Sequence, residues 1–310
     1  MVYNSPMKSR IKFVLLAVAL TGLVLFVAIR HHEKVAWRLR LAWHKGIVGD
    51  VPLNWSEVAT RVMLPDALSD RVLIPLAATP TGILEPAIDG AFFNTPMGGF
   101  WAKTSEREVV ADLVSELRYA EAYANDIVTV EPGDVVVDVG AHIGIFTRQA
   151  LDLGAKKVIA IEADPANVTY FKLNHEQGLQ LGNVMLVSAA ALAEPRVARF
   201  TRLKTTVMTR EAIDGEFTVL GTTIDAVVEK ANLSRCDFIK LDIEGGEAAA
   251  LRGAVATITR FNPDLAVASY HRPTDATEII GLMQSISPNY NVNKRNGILL
   301  FTTGKAAHHK

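Results

Sequence analysis

The chain has 310 residues, 49% of them hydrophobic, which allows one large domain or one domain with appended segments. Its formal net charge of −1 at pH 7 gives no support for binding to nucleic acid, so no nucleic-acid partner is expected. The single cysteine, Cys236, excludes an internal disulfide framework.

An uncharged apolar segment lies close to the amino terminus. Residues 13–29 carry no charged side chain and follow a basic flank, residues 1–12. As a helix rising about 1.5 Å per residue, this segment just spans a hydrocarbon core of about 30 Å when its flanking side chains reach the interface. A cleaved signal peptide is the alternative, but no A-x-A site precedes Arg30 and the segment is longer than a usual signal-peptide core. We therefore predict an uncleaved, single-pass membrane anchor.

The charges around this anchor predict its orientation. Lysine and arginine side chains follow the apolar segment in larger number than they precede it. The positive-inside rule therefore favours a cytoplasmic location for the domain that follows. Residues 30–104 contain many prolines and glycines and little clean periodicity, so we predict a juxtamembrane and accessory segment there.

An amphipathic helix is predicted to begin near Ser105. Apolar residues recur at helical spacing, which predicts that one face of this helix is buried. The residues of that face are Val109, Leu113, Leu117 and Ala120. We place one domain at residues 105–304 and a disordered tail at residues 305–310.

The most informative stretch is VVVDVGAHIGIFT, residues 135–147. Four valines around one acid break abruptly into a glycine turn, and an apolar helical pattern follows. A strand, a tight turn and a helix start form a geometry in which a backbone can approach a nucleotide closely. Glu162 ends the next apolar run about 20 residues later, where a ribose-binding carboxylate is expected. The predicted cofactor-binding residues are Asp138, Gly140, Ala141, His142, Gly144 and Glu162.

The spacing of the glycines separates two classes of cofactor. Nicotinamide folds carry G-x-G-x-x-G, whereas Gly140 and Gly144 are four residues apart. The pattern D-x-G-x-x-x-G with a later glutamate favours S-adenosylmethionine over a nicotinamide or a flavin. A turn that needs glycine for geometry alone is the other interpretation, and Glu162 argues against it.

From Gly133 onward, strand and helix patterns alternate, which predicts a parallel sheet covered on both faces. The predicted strands are Val135–Val139, Lys157–Ile161, Val184–Ala190, Asp237–Leu241 and Asp264–Tyr270, with a further short strand at Val197–Thr201. The predicted helices fall near Ile143–Leu153, Ala166–Gln177, Thr223–Ala231, Glu247–Thr259 and Thr274–Ser285. Tyr290–Lys294 and Gly297–Thr303 flank a polar turn and predict a terminal antiparallel hairpin. The whole pattern is Rossmann-like.

A second acidic motif, DFIKLDIEGGE, covers residues 237–247. An apolar strand carries Lys240, Asp242 and Glu244 into a glycine pair, and ligands in such sheets bind outside the carboxyl ends of strands. Two carboxylates held close together repel, so one of them is suited to act as a general base. The alternative is that both acids cap the next helix and tie down the loop.

His271 and Arg272 follow the next strand, at the same edge of the sheet. A histidine there can act as a base or hydrogen-bond a substrate hydroxyl, although a structural loop histidine fits equally well. We predict Asp242, Glu244 and His271 as catalytic residues, and Lys240 and Arg272 as substrate-binding residues. No metal site is assigned, although the acids offer hard oxygen ligands that favour Mg²⁺ over zinc.

With these motifs in view, the chain resembles the FkbM family of S-adenosylmethionine-dependent methyltransferases. The matching segments are GDVVVDVGAHIGIFT, VIAIEADP and GTTIDAVVEKANLSRCDFIKLDIEGGEAAALRGA. The resemblance covers residues 133–303 and implies a class I methyltransferase fold with methyl transfer to a hydroxyl oxygen. It also implies that Asp138, Gly140, Gly144 and Glu162 contact the cofactor and that Asp242 and Glu244 face the substrate.

The expected function is therefore that of a membrane-anchored O-methyltransferase. The expected acceptor is a small molecule, a sugar, a lipid-linked glycan or a natural-product-like compound. The alternative is a non-catalytic membrane-anchored protein that keeps a methyltransferase-like fold. The sequence does not indicate the oligomeric state.

Overall fold

The computed structural model describes residues 89–118, 121–202 and 209–304. The predicted anchor at residues 13–29, its basic flank, most of the accessory segment and the predicted tail lie outside these residues. Within them, no helix is both long enough and apolar enough to cross a membrane.

Strands and helices alternate through most of the described chain. The strands are β1 (Ala91–Thr95), β2 (Gly98–Ala102), β3 (Val135–Val139), β4 (Lys157–Glu162), β5 (Val184–Ser188), β6 (Ala190–Ala191), β7 (Val197–Arg202), β8 (Thr209–Glu211), β9 (Phe217–Thr222), β10 (Phe238–Leu241), β11 (Asp264–Ala268), β12 (Asn291–Arg295) and β13 (Ile298–Thr302). The α-helices are α1 (Arg107–Arg118), α2 (Ile145–Asp152), α3 (Pro165–Asn174), α4 (Glu176–Leu181), α5 (Ile224–Lys230), α6 (Glu247–Arg252), α7 (Val255–Phe261) and α8 (Asp275–Ile286).

Seven strands form the central sheet, in the order β12-β13-β11-β10-β3-β4-β5. The five strands from β11 to β5 run parallel, and β13 pairs antiparallel with both β11 and β12. A mainly parallel sheet closed by a terminal antiparallel hairpin confirms the predicted class I methyltransferase-like fold.

Strand β3 lies inside this sheet, and all five of its residues are buried. Because the sheet is covered on both faces, the strand is apolar along its length rather than alternately apolar and polar. Asp138 is the exception, and its side chain is fully buried. A buried carboxylate must be paired and hydrogen-bonded, which places a polar network beneath the glycine turn that follows.

Two predicted helices are each divided in the structure. The predicted helix at Glu247–Thr259 is interrupted at Gly253, between α6 and α7. A Cβ at that glycine would lie 2.2 Å from the carbonyl oxygen of Leu192, so the backbone there packs directly against another loop. The predicted helix at Ala166–Gln177 ends at Asn174, and α4 begins two residues later.

The buried face predicted for α1 is partly wrong. Val110, Val114 and Leu117 are buried, whereas Val109 and Leu113 are only partly buried. Ala120, also predicted for this face, lies outside the described residues. The core contacts the helix one residue later than the sequence pattern indicates. Leu113 instead lines a cavity, which explains why an apolar residue occurs at this position.

A small sheet, formed by β6, β7, β8 and β9, lies outside the central one. Its strands pair in the order β6-β9-β7-β8, and β7 pairs antiparallel with both of its neighbours. Only β7 was predicted, because the segments around it are short and lack a clean alternation. The β1–β2 hairpin contacts α3 and α1, so it belongs to the same layer as those helices.

Candidate functional site

A cavity of about 410 Å³ lies at the carboxyl-terminal edge of the central sheet. Its walls come from the loops after β3, β4, β10 and β11, from α1 and from the small sheet. In doubly wound sheets, ligands bind at this edge because the loops of neighbouring strands converge there. The volume is typical of small-molecule sites, which measure about 300–1,000 Å³.

The glycine turn after β3 forms the floor of this cavity. Gly140 has φ +79°, a conformation that L-residues with a side chain rarely adopt. A Cβ at this position would lie 1.9 Å from the carbonyl oxygen of Asp242. The sequence therefore needs glycine here for two reasons, the backbone conformation and the close approach of the β10 loop.

Gly144 ends the turn and begins α2. It has φ +92°, and its carbonyl oxygen lies 2.9 Å from His175 Nε2. The Asn174 side-chain amide donates to the carbonyl oxygen of Ile143 at 2.9 Å. Burial lowers the pKa of His175 to about 4, so its ring is neutral at neutral pH. Asn174, the last residue of α3, and His175, which follows it, therefore hold the glycine turn from outside the cavity.

Asp138 and Lys240 fix the turn from below. Thr147 Oγ1 donates to Asp138 Oδ2 at 2.7 Å, and Lys240 Nζ lies 3.3 Å from Asp138 Oδ1. The same ammonium group donates to the carbonyl oxygen of Gly140 at 2.7 Å. Asp138 does not line the cavity, so the structure places it as a support of the turn. Lys240 reaches the cavity wall but is buried and already engaged with the turn.

Glu162, at the end of β4, lines the cavity beside the glycine turn. The backbone N–H of His142 donates to Oε2 at 2.8 Å, and that of Asp164 donates to Oε1 at 2.8 Å. Asn167 Nδ2 also donates to Oε1, at 3.3 Å. Burial raises the pKa of Glu162 and these hydrogen bonds oppose the rise. The carboxylate is thus held in one orientation towards the cavity.

His142 occupies the middle of the turn with φ +52°, an uncommon backbone conformation for a residue with a side chain. Burial, assisted by the charge of Lys240, lowers the pKa of His142 to about 4, so the imidazole is neutral at neutral pH. Ala141 lies next to it, and both residues line the cavity. Gly144 does not.

The loop after β10 brings Asp242 to the cavity on the other side of the glycine turn from Glu162, because β10 and β4 flank β3. Tyr123 donates its hydroxyl to Asp242 Oδ2 at 2.8 Å. The Tyr270 hydroxyl lies 3.4 Å from both oxygens of the same carboxylate, a long contact at the limit of hydrogen bonding. Two phenols therefore orient Asp242. Neither tyrosine was among the predicted site residues.

His271 lies among three carboxylates. Its Nε2 is 3.4 Å from Asp242 Oδ1 and 3.5 Å from Glu244 Oε2, and its Nδ1 is 3.2 Å from Glu247 Oε1. Burial lowers the pKa of His271, but the contact with Glu247 and the charges of all three acids outweigh it and raise the value to about 9. The contacts are ion pairs rather than aligned hydrogen bonds.

Glu244 and Glu247 have different environments within the same loop. Glu244 has φ +58° and lines the cavity, and burial raises its pKa to about 7. Glu247 is fully buried, and its Oε1 accepts from the backbone N–H groups of Ile243 at 2.9 Å and Gly245 at 3.3 Å. The carboxylate that ties down this loop is therefore Glu247, a role that the sequence suggested for Asp242 and Glu244.

A further acid comes from α1. Glu116 lines the cavity, and burial, together with the charge of Asp242, raises its pKa to about 7. Arg272 also lines the cavity, pairs with Asp275 at 2.7 Å and lies 3.5 Å from Glu278. Its charge is thus largely directed towards α8.

The structure brings most of the predicted site residues to one cavity. Nine of them line it: Gly140, Ala141, His142, Glu162, Lys240, Asp242, Glu244, His271 and Arg272. Asp138 and Gly144 lie behind it and hold the turn. Sequence reasoning missed Glu116, Tyr123, Asn167, Glu247 and Tyr270 as members of the site. Glu116 and Tyr123 precede the first glycine motif, so only the tertiary fold brings them to the acids.

The family comparison matches the region that contains both motifs. Residues 138–291 match the family model described as the methyltransferase FkbM domain. A stretch of 46 residues is 52% identical to ribosomal protein L11 methyltransferase of Anoxybacillus flavithermus, and it covers 15% of each chain. The chain therefore spans only a small part of that relative.

Two solved structures have partial similarity to this chain. The FkbM methyltransferase of Methylobacillus flagellatus KT is 21% identical, with a TM-score of 0.46. The match covers 64% of this chain and 55% of that chain, so the chain spans about half the length of that protein. Fibrillarin of Aeropyrum pernix, solved in complex with S-adenosylmethionine, is 12% identical with a TM-score of 0.35, over 56% of this chain and 67% of that chain.

Proposed function

We propose that the chain transfers a methyl group from S-adenosylmethionine to a hydroxyl oxygen, since residues 138–291 match the methyltransferase FkbM domain. The acceptor class that we propose is a sugar, a lipid-linked glycan or a natural-product-like compound. The observation that carries this proposal is the single cavity that joins the glycine turn and Glu162 to Asp242, Glu244 and His271. A cofactor held by Glu162 and the glycine turn therefore lies in the same cavity as this group of acids.

The cofactor of this family is S-adenosylmethionine. In our proposal its ribose hydroxyls donate to Glu162, whose Oε2 accepts a single hydrogen bond, from the His142 N–H, and keeps a second lone pair. The turn at Gly140 and Ala141 gives the nucleoside close access to the backbone. Loss of one charged hydrogen-bond acceptor in such a site costs about 1.5–3 kcal/mol.

At the acceptor end, the proposed step is direct in-line transfer. The acceptor oxygen forms a bond to the methyl carbon while the carbon–sulfur bond breaks. The electron pair of the carbon–sulfur bond goes to sulfur, which gives neutral S-adenosylhomocysteine. Asp242 or Glu244 takes the hydroxyl proton as the new bond forms. Both carboxylates line the cavity, and the Tyr123 hydroxyl fixes the first of them. Holding the two reactants in line supplies a large part of the acceleration.

The first test is calorimetric titration of the full chain with S-adenosylmethionine and S-adenosylhomocysteine. We expect micromolar binding that weakens at least tenfold, or about 1.4 kcal/mol, in Glu162→Ala. Glu176→Ala is the matched control because this glutamate is exposed on α4, away from the cavity. Absence of binding to the folded wild-type chain would remove the methyltransferase proposal and favour a non-catalytic protein of the same fold.

The class of acceptor atom is tested with the donor carrying a labelled methyl group. The full chain is incubated with hydroxyl-bearing sugars, glycolipids and polyols, and the labelled product is treated with mild alkali. A methyl ether survives this treatment, whereas a methyl ester is hydrolysed. Alkali-labile label in the product would replace hydroxyl transfer with transfer to a carboxylate.

We also propose that residues 13–29 anchor the chain in a membrane, with the catalytic domain on the cytoplasmic side. The support is the length of the uncharged segment and the larger number of basic residues that follow it than precede it. An anchor would raise the local concentration of a lipid-linked acceptor. Removal of residues 1–32 should therefore lower methyl transfer to an acceptor in vesicles but not to a soluble acceptor. Equal loss with both acceptors, or no loss with either, would contradict the anchoring role.

A further inference from the structure

We propose that Asp242, Glu247 and His271 form a binding site for one divalent metal ion at the acceptor end of the cavity. One ligand atom from each side chain lies within 4.8 Å of those from the other two. Two ligands on opposite sides of an ion lie about 4.4 Å apart when each bond is about 2.2 Å. Small side-chain movements therefore suffice to bring all three donors to coordination distance.

Three polar atoms of His271 and Glu247 are buried and lack hydrogen-bond partners. Both ring nitrogens of His271 and Oε2 of Glu247 are inaccessible to solvent and have no hydrogen-bond partner. The side chain of His271 is 9% exposed and that of Glu247 is fully buried. A buried polar atom without a partner costs about 1–3 kcal/mol, so three of them on two neighbouring side chains require an explanation. A metal ion bound to Glu247 and to one ring nitrogen of His271 satisfies two of them at once.

The charges point to a cation at the same place. Asp242, Glu244 and Glu247 surround His271, which can carry at most one positive charge. The two neighbouring fixed cations are directed to other acids, since Lys240 lies 3.3 Å from Asp138 and Arg272 lies 2.7 Å from Asp275. A divalent ion supplies one more charge than a proton on the imidazole. It also replaces the weakly aligned ion pairs of the ring with coordination bonds.

The donor set indicates which ion fits. Two carboxylates and one imidazole combine hard oxygen ligands with a nitrogen that Mg²⁺ seldom takes, which favours Mn²⁺ or a similar first-row ion. Three protein ligands leave further positions open, and Asp242 reaches the cavity where the acceptor would bind. An acceptor hydroxyl on the ion would have a lowered pKa. This role in catalysis rests on the proposed function, whereas binding of the ion does not.

The test uses the full chain after treatment with a chelator, with Mn²⁺ as the probe. Free Mn²⁺ gives a sharp electron paramagnetic resonance signal that weakens on binding, so a titration gives stoichiometry and affinity. We expect one Mn²⁺ per chain, and at least tenfold weaker binding in Asp242→Asn and in Glu247→Gln. Glu244→Gln and Glu278→Gln, which remove nearby acids outside the ligand set, should keep the site.

A second measurement on the wild-type chain does not depend on the folding of any variant. Electron spin echo modulation of bound Mn²⁺ should show coupling to an imidazole nitrogen. Uptake of no Mn²⁺, or of Mn²⁺ without nitrogen coupling, would overturn the proposal. Titration of the same samples with S-adenosylhomocysteine separates the two proposals. Metal binding without cofactor binding would remove the methyltransferase function alone, and cofactor binding without metal binding would remove the metal site alone.

Discussion

At the scale of single residues, Gly140 is the position where the proposed ligand binding depends most directly on backbone geometry. Its φ is positive, and a Cβ added there would lie 1.9 Å from the Asp242 carbonyl oxygen, which leaves no room for a side chain. Gly140→Ala must therefore move the glycine turn, the β10 loop or both. We expect at least tenfold weaker binding of S-adenosylhomocysteine, measured by calorimetry on the full chain.

Gly182→Ala is the matched control for this substitution. Gly182 has φ +77°, close to that of Gly140, but a Cβ there would meet nothing within 4 Å. The two variants share a left-handed backbone penalty of about 1–2 kcal/mol, and only one has the clash. Gly182→Ala should lower stability by that amount and leave binding unchanged. A folded Gly140→Ala chain with wild-type affinity would show that the turn does not carry the cofactor.

His175 makes the stability of the glycine turn depend on pH. Its folded-state pKa is about 4 and its ordinary value is 6.5, so the unfolded chain binds more protons between these values. Stability therefore rises as pH increases from about 4 to about 6.5, and is fully present above that window. His142 contributes with the same sign because its pKa is also about 4.

His175→Gln should reduce this rise by up to about 3 kcal/mol, since one group with a shift of this size is removed. Urea denaturation between pH 4 and pH 8 measures how the free energy of unfolding depends on pH in the two chains. The Gln side chain retains a donor for the Gly144 carbonyl, and wild-type-like unfolding at pH 8 would confirm that the variant folds. An unchanged slope between pH 4 and pH 6.5 would mean that the ring is charged in the folded chain.

Sequence reasoning found the residues of the site that belong to short motifs and missed those that only the fold brings in. Gly140 and Glu162 are about 20 residues apart, and their types and spacing carry the chemistry. Tyr123 and Asp242 are in contact although they are 119 residues apart in the sequence, and no local sequence pattern predicts such a pair. Glu247 begins a helix in the sequence pattern, and its burial depends on how the β10 loop folds back over it.

At the scale of secondary structure, the strands of the central sheet were predictable because both of their faces are buried. In an alternating α/β pattern, a short continuous apolar run bounded by turn residues predicts a buried strand of a parallel sheet. The small sheet was largely missed because its strands are short and partly exposed, with Val197 at 61% and Leu220 at 69% exposure. The phase of α1 was wrong because the pattern does not separate a residue facing the core from one facing a cavity, as Leu113 does.

Helix α8 offers a test of local helix stability that is independent of the site. Gly281 lies inside this helix, is exposed, and has no atom within 4 Å of the position of a Cβ. Gly281→Ala should stabilise the chain by about 0.5–1 kcal/mol because alanine loses less backbone entropy on folding. Chemical denaturation measures the gain, and cofactor binding should not change. A loss of stability would show that the helix is not continuous at this position.

At the scale of the whole molecule, the cavity depends on how the small sheet is held to the central one. Arg202, at the end of β7, donates through Nη2 to Asp164 Oδ1 at 2.7 Å, and its guanidinium lies 4.5 Å from the centre of the Phe217 ring. Asp164 is fully buried and follows Glu162 by two residues. The pair therefore connects β7, which pairs with the cavity-lining β8, to the loop after β4, two residues from Glu162.

Arg202→Ala should loosen this wall and speed the release of S-adenosylhomocysteine several-fold, because it leaves the buried Asp164 without its main cationic partner. The stability should fall by about 1–3 kcal/mol, less than for a fully buried pair, since the arginine side chain is 35% exposed. Arg196→Ala is the matched control: it removes an arginine just before β7, where the pair with Glu211 is exposed on both sides. Stopped-flow displacement of the ligand measures the release rate. Equal release rates in wild type and in Arg202→Ala would mean that this ion pair is not needed to hold the small sheet over the cavity.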